Sequence, residues 1–188
     1  QDILNFWFSP EHRSLWFAKS EDFDAKIRDQ FAEDFDAKIR DQFADVHRQA
    51  TRAELWSWRK TPEGRLAEII VLDQFSRNIY RDQPQSFAYD SLALALAQEA
   101  ISLQLDAQLN PEQRSFLYMP FMHSESKLIH EFALKLFQRL GNEINLSFEK
   151  KHKVIIDRFG RYPHRNAILG RVSTPEETEF LLEPNSSF

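Results

Sequence analysis

The chain has 188 residues, a length typical of one domain that buries a core without disulfides or metals. It contains no cysteine, which excludes a disulfide framework, a thiolate nucleophile and a zinc finger. The net charge of −5 argues against binding nucleic acid through the whole surface. No uncharged run approaches the roughly 20 apolar residues that span a bilayer. Residues 1–10 lack the basic region and apolar stretch of a secretory signal peptide. We therefore expect a single cytoplasmic domain over residues 1–188, with no membrane partner and with nucleic acid disfavoured.

The first long helix is predicted across an exact duplication. Residues 21–32 read EDFDAKIRDQFA, and residues 33–44 repeat this twelve-residue sequence without a change. Because an α-helix turns by about 100° per residue, twelve extra residues rotate everything after them by about 120°. The two copies therefore cannot pack alike within the helix predicted over residues 21–49.

Two arrangements of the copies stay open. In the first, the apolar residues of the first copy hold the core, and these are Phe23, Ile27 and Phe31. The matching residues of the second copy, Phe35, Ile39 and Phe43, then extend a longer helix. In the second arrangement, one copy loops out. Either way the duplication is expected to be structural and not functional. It does not indicate a solenoid, because solenoid repeats are longer and diverge in sequence.

A core-facing helix is predicted from Pro62 to about Arg81, after the cap residue Thr61. Its apolar side chains fall on one arc at the helical period, namely Ile69, Leu72, Phe75, Ile79 and Tyr80. Asp73 and Arg77 lie one turn apart at the edge of this arc. A carboxylate there is costly to desolvate unless it is paired, so Asp73 is predicted to meet Arg77 or an arginine of another segment.

The segment FLYMPFMHSE, residues 116–125, is predicted to break at Pro120 and to start a new helix after the break. Ser124 is the expected N-cap. His123 and Glu125 would then lie at a helix N-terminus, where backbone N–H groups and an imidazole suit an anion. Simple capping explains Ser124, whereas His123 and Glu125 are also candidates for proton transfer.

The other predicted helices cover residues 2–8, 86–103, 127–140, 147–159 and 175–182. Gly141 and Gly160 are placed to end two of them, and Thr174 with Glu177 has the spacing of a capping box. His152 lies among apolar residues at helical spacing and is expected to face the core. Glu149 and His152 have the E-x-x-H spacing of di-iron bundles, but no second copy of that motif follows, so no metal is predicted.

The densest polar stretch is RFGRYPHRNAILGR, residues 158–171. Its arginines suit bidentate capture of a carboxylate or phosphate. Together with His164 and Asn166, Arg161 and Arg165 could line a pocket for an acidic ligand. The same residues could equally tie the loop to Asp73 and Glu125, and the sequence leaves both interpretations open.

These segments resemble a bacterial family known as domain of unknown function 924. The resemblance covers nearly the whole chain and rests on several motifs, which are FWF at 6–8, WF at 16–17, LDQFSRN at 72–78, HSE at 123–125, RFGRYPHRN at 158–166 and LGR at 169–171. It implies an all-α fold similar to tetratricopeptide-like helical hairpin arrays and implies no settled activity. The exact duplication departs from the family pattern, in which one copy is expected.

The predicted fold is all-α, a tetratricopeptide-like stack of helical hairpins closing into one compact bundle. The favoured function is a scaffold for a protein or peptide partner, as helical arrays commonly are. The alternative is an enzyme or binding protein for an anionic small molecule, and the sequence leaves open whether the protein is an enzyme. No cofactor is predicted. The candidate proton-transfer residues are His123, Glu125 and His164, and the candidate ligand-binding residues are Asp73, Arg77, Arg161, Arg165 and Asn166.

Overall fold

The computed structural model describes residues 1–16, 25–184 and 186–187, with only the backbone described for residues 25–29. Within these ranges the secondary structure is helical and contains no strand, which confirms the all-α class. The chain forms two compact units, the first of residues 1–81 and 85–109 and the second of residues 82–84 and 110–188. No described helix is both long and apolar enough to cross a membrane. A single domain and a tetratricopeptide-like arrangement stay predictions.

The first unit is built on a buried helix that carries the motif LDQFSRN. Its helices are α1 (Asp2–Trp7), α2 (Pro10–Arg13), α3 (Ala25–Thr51), α4 (Pro62–Ile70), α5 (Ser76–Ile79) and α6 (Asp90–Ser102). The predicted arc is buried, since Ile69, Leu72 and Phe75 are all 0% exposed. The predicted uninterrupted α-helix is wrong in one respect, because Val71–Phe75 forms a π-helical turn between α4 and α5. Such turns add a residue to the helix and often lie at functional sites.

The second copy of the duplicated sequence is the one that packs. Phe35, Ile39 and Phe43 are 4%, 0% and 8% exposed, whereas Phe31 of the first copy is 51% exposed. The arrangement in which the first copy holds the core is therefore wrong at Phe31. Phe23 and the side chain of Ile27 lie outside the described residues.

In the second unit, consecutive helices pack against each other. They are α7 (Pro111–Met122), α8 (Lys127–Leu140), α9 (Glu143–Phe159) and α10 (Pro175–Phe180), and α8 contacts both α7 and α9. Gly141 and Gly160 end α8 and α9 with φ of 76° and 70°, as their positions predict. The Thr174 and Glu177 capping box opens α10.

Two local predictions around α7 are wrong. Pro120 does not break the helix, because α7 continues to Met122 and every residue from Ser115 to Met122 is buried. Tertiary burial thus outweighs the hydrogen bond that the proline cannot donate. The N-cap of α8 is Ser126, whose hydroxyl accepts from the N–H of Ile129, and not Ser124.

Candidate functional site

The predicted site residues are divided between the two units. Asp73 and Arg77 belong to the first unit. The second unit contains the rest, which are His123, Glu125, Arg161, His164, Arg165 and Asn166.

In the first unit, Asp73 and Arg77 form the predicted one-turn pair. Asp73 lies in the π-helical turn and is 1% exposed. Its carboxylate accepts from Gln74 Nε2 at 2.6 Å and lies 3.3 Å from Arg77 Nη1. Arg77 also donates both terminal nitrogens to Asp90 at 2.9 and 3.0 Å. Arg77 therefore contacts two carboxylates and joins α5 to the start of α6.

In the second unit, Arg161 is held by a carboxylate that the sequence suggested only as a helix cap. Arg161 donates Nε and Nη2 to the two oxygens of Glu177 at 2.6 and 2.7 Å. Glu177 is 2% exposed and also accepts from the N–H of Thr174 at 2.8 Å. The guanidinium of Arg161 is the main cause that lowers the pKa of Glu177 to about 2, so this carboxylate is ionised at neutral pH.

Glu125 is held in the same way, by Arg171. Arg171 donates to both oxygens of Glu125 at 2.7 and 2.9 Å, and the N–H of Tyr162 donates to it at 2.7 Å. Burial alone would raise the pKa of Glu125, but the hydrogen bonds from Arg171 and Tyr162 outweigh burial and leave that pKa lowered. Glu125 is thus an ionised partner of a guanidinium, and not the partner of an imidazole that a proton-transfer role would need.

Asn166 connects these two ion pairs. It is 1% exposed, accepts from Arg171 Nε at 3.0 Å and donates Nδ2 to Glu177 at 3.3 Å. We call the connected set of Glu125, Arg161, Asn166, Arg171 and Glu177 the clasp. It ties the loop after α9 to the start of α8 and to the start of α10.

Arg165 faces the interior beside the clasp. It is 6% exposed, donates Nη2 to the backbone oxygen of His123 at 3.0 Å, and lies 4.7 Å from the ring centroid of Tyr162. Tyr162 is fully buried and donates its hydroxyl to the backbone oxygen of Met122 at 2.5 Å. The ring of His164 lies 5.5 Å from that of Tyr162. Tyr162 is therefore the ring against which His164 and Arg165 lie.

A second polar pair lies deeper, between α8 and α9. His130 and Glu149 are both 0% exposed, and His130 Nδ1 lies 2.8 Å from Glu149 Oε1. His130 Nε2 lies 2.8 Å from the backbone oxygen of Ser124, which can only accept, so Nε2 carries a proton. The pair then shares one further proton. Burial raises the pKa of Glu149, which favours a neutral carboxyl that donates to Nδ1 of His130.

His152 is a core residue, as predicted. It is 6% exposed, and its Nδ1 donates to the backbone oxygen of Phe148 at 2.8 Å. Burial lowers the pKa of His152 to about 3, so the ring is neutral at ordinary pH. Among the residues with described placement, no group of three or more histidine, aspartate or glutamate side chains could hold a metal ion.

Sequence reasoning missed several members of this region, and for different reasons. Glu177 was hidden by its capping box, which explains a glutamate at that position without any buried arginine. Glu149 was considered only in the spacing of a di-iron site, and His130 carried no prediction. The excess of arginine in residues 158–171 is a signal that could have led to Glu177, because buried arginines need carboxylate partners and the chain has to supply them from other segments.

Comparisons with known proteins agree with this architecture. A family model described as bacterial protein of unknown function (DUF924) matches residues 3–185. A solved structure of a protein of unknown function from Agrobacterium tumefaciens is 37% identical, with a TM-score of 0.82, over 97% of this chain and 96% of that chain. No curated protein matches. The resemblance read from the motifs is confirmed.

Proposed function

Since this chain belongs to the bacterial protein family of unknown function DUF924, we propose its role from its geometry, as a helical scaffold that binds a protein or peptide partner. A cytoplasmic, single-domain, tetratricopeptide-like protein is part of the same proposal. The observation that carries it is the internal neutralisation of the arginine-rich loop. Arg161 and Arg171 each hold a carboxylate with two hydrogen bonds.

The clasp argues for architecture over ligand capture. An anion that bound Arg161 or Arg171 would have to displace Glu177 or Glu125 from two-point hydrogen bonds that are partly buried. The freed carboxylate would then lie close to the incoming negative charge. An anionic small molecule is therefore the weaker of the two functions for this loop.

The surface that fits a partner is a stripe on α8. Leu128, Phe132, Lys135 and Arg139 are spaced by four, three and four residues and so lie within about 60° of one another around the helix. Leu128 is 65% exposed and Phe132 is 51% exposed. Lys135 Nζ lies 5.8 Å from the Phe132 ring centroid. We call these four residues the α8 stripe.

The chemistry of the α8 stripe specifies the partner. Two exposed apolar side chains followed by two exposed cations, on a chain of net charge −5, fit a peptide helix with an apolar edge and acidic residues. Over the described residues, no carboxylate lies within salt-bridge distance of Lys135 or Arg139. Both cations are therefore available to an acidic partner.

A selection from a random-peptide phage library, with the intact protein as bait, tests this function. We expect the selected peptides to be acidic and amphipathic, and their binding to fall at least tenfold in Phe132→Ser and in Lys135→Glu. Ile144→Ser is the matched control, because Ile144 is 67% exposed on α9 and lies outside the α8 stripe.

Two outcomes would contradict the scaffold. One is a set of peptides that bind Phe132→Ser and Lys135→Glu as tightly as the unchanged protein. The other is a rise in melting temperature with inorganic phosphate or a small dicarboxylate that disappears in Arg165→Ala, which would support the small-molecule function.

A further inference from the structure

We propose that the first unit has one docking site for the twelve-residue sequence that the chain carries twice, and that either copy can occupy this site. The second copy, residues 33–44, occupies it in the structure. This inference is independent of the scaffold function, because it concerns residues of the first unit only.

The apolar half of the docking site is aromatic. The Phe35 ring lies 5.9 Å from the rings of both Phe6 and Trp7. Phe43 lies 5.0 Å from Phe6 and 5.2 Å from Phe75. These rings enclose one face of α3 over two turns, so the site selects phenylalanines at this spacing.

The polar half of the docking site recognises one carboxylate. Asp36 is 5% exposed and accepts from Arg81 Nε and Nη2 at 2.5 and 2.9 Å and from Asn78 Nδ2 at 2.8 Å. A segment that docks here must therefore carry an aspartate directly after its first phenylalanine. Without that carboxylate, Arg81 and Asn78 would lose the acceptor of these hydrogen bonds.

The first copy meets both requirements. Phe23, Asp24, Ile27 and Phe31 stand twelve residues before Phe35, Asp36, Ile39 and Phe43, within an identical sequence. Identical side chains can make identical contacts, so the two registers differ only in how the chain reaches and leaves the site.

The connections explain why the second copy occupies the site. To dock the first copy, α3 would shift along its axis by about 18 Å. Residues 33–44 would then form a loop before the last turns of α3, where His47 and Ala50 are 2% and 0% exposed. Breaking the helix and closing that loop is unfavourable. The second-copy register is therefore the ground state, and Phe31 is left 51% exposed.

When the second copy can no longer dock, the register in which the first copy occupies the site becomes the main one. The first copy is then a built-in replacement for a core segment. A substitution in residues 33–44 should be far less damaging in this chain than in a chain with a single copy.

The test compares Ile39→Asp in two backgrounds. Ile39 is 0% exposed, and an aspartate at that position would be a buried unpaired charge. One background is the full chain, and the other lacks residues 21–32, which leaves the same sequence as removing residues 33–44. We expect Ile39→Asp to abolish cooperative thermal unfolding in the single-copy chain, and only to lower the melting temperature in the full chain.

Two controls make the result specific. Ile69→Asp, at a position also 0% exposed but outside the duplication, should abolish cooperative unfolding in both backgrounds. Ile27→Asp combined with Ile39→Asp should remove the rescue in the full chain. Hydrogen exchange of full-length Ile39→Asp should protect residues 21–32, whose peptides now differ in mass from those of residues 33–44.

Equal loss of cooperative unfolding in the two backgrounds would overturn the proposal. A concentration-dependent dimer of full-length Ile39→Asp in light scattering would overturn the change of register within one chain, since the first copy would then dock on a second molecule.

Discussion

Two buried carboxylates of the second unit have opposite electrostatic environments. Glu177 in the clasp is 2% exposed, and Glu149 between α8 and α9 is 0% exposed. Arg161 lowers the pKa of Glu177 to about 2, whereas burial raises the pKa of Glu149. Two carboxylates with almost no exposed surface are therefore charged in one region and shifted toward the neutral form in the other.

The depth of each site and the partner in it explain this difference: Arg161 is 29% exposed, whereas His130 is 0% exposed. A guanidinium keeps its proton at any ordinary pH, so Arg161 offers Glu177 a permanent charge and two donors. His130 offers Glu149 no permanent charge, and its Nδ1 can accept a hydrogen bond from a neutral carboxyl. The clasp thus depends on charge, and the α8 to α9 contact depends on a hydrogen bond within the core.

The largest expected effect comes from removing the buried acid. Glu149→Ala should reduce the free energy of unfolding by about 2 to 4 kcal/mol, because it leaves a cavity and takes away the partner of His130. Glu149→Gln should reduce it by less than about 1 kcal/mol, because the amide N–H can replace the carboxyl O–H as donor to Nδ1. Urea unfolding measures both. A glutamine variant as unstable as the alanine variant would show that Glu149 must be ionised.

A smaller effect is expected in the clasp. Glu177→Ala should reduce the free energy of unfolding by about 1 to 3 kcal/mol, because Arg161, Asn166 and the N–H of Thr174 all lose an acceptor. Its neighbour Glu176 is the matched control. Glu176 is 62% exposed in its pair with Arg158, so Glu176→Ala should change stability by less than about 1 kcal/mol. Equal urea midpoints for the two variants would count against a structural clasp.

The smallest expected effect is a pH dependence from His152. Its pKa is lowered from 6.5 to about 3, so the unfolded chain takes up this proton at a higher pH than the folded protein. The stability contributed by the neutral ring is complete above pH 6.5 and is lost as the pH falls toward 3. Urea unfolding between pH 7 and about pH 5, above the titration of ordinary carboxylates, should give a flatter pH dependence for His152→Gln than for the unchanged protein. Equal slopes would mean that His152 is not buried in its neutral form.

Helix positions were largely predictable from the sequence, because caps and apolar periods are local signals. The prediction for α8, residues 127–140, matches the structure at both ends. Its cap was misassigned, because Ser124 and Ser126 are equally good caps by sequence and only the fold selects one. The π-helical turn and the continuation of α7 through Pro120 depend on tertiary packing, which no local signal encodes.

The site was predictable only in its composition. The segments that meet in the second unit were identified, and the interpretation in which arginines tie the loop to Glu125 is confirmed through Arg171. The identity of each pair was not predictable, since any arginine of residues 158–171 fits any nearby carboxylate. Which copy of the duplication packs was not predictable either, because the two copies have the same sequence and differ only in how they connect to the rest of the chain.

The most direct test of the clasp and its contrast with the core is a carboxyl carbon NMR titration of the folded protein. We expect Glu177 to stay ionised down to about pH 2 and to lose this behaviour in Arg161→Gln, while Glu149 titrates above the ordinary value of 4.5. A Glu177 signal that titrates near 4.5 would contradict the account, because its carboxylate would then be solvated and Arg161 would be available to an external anion.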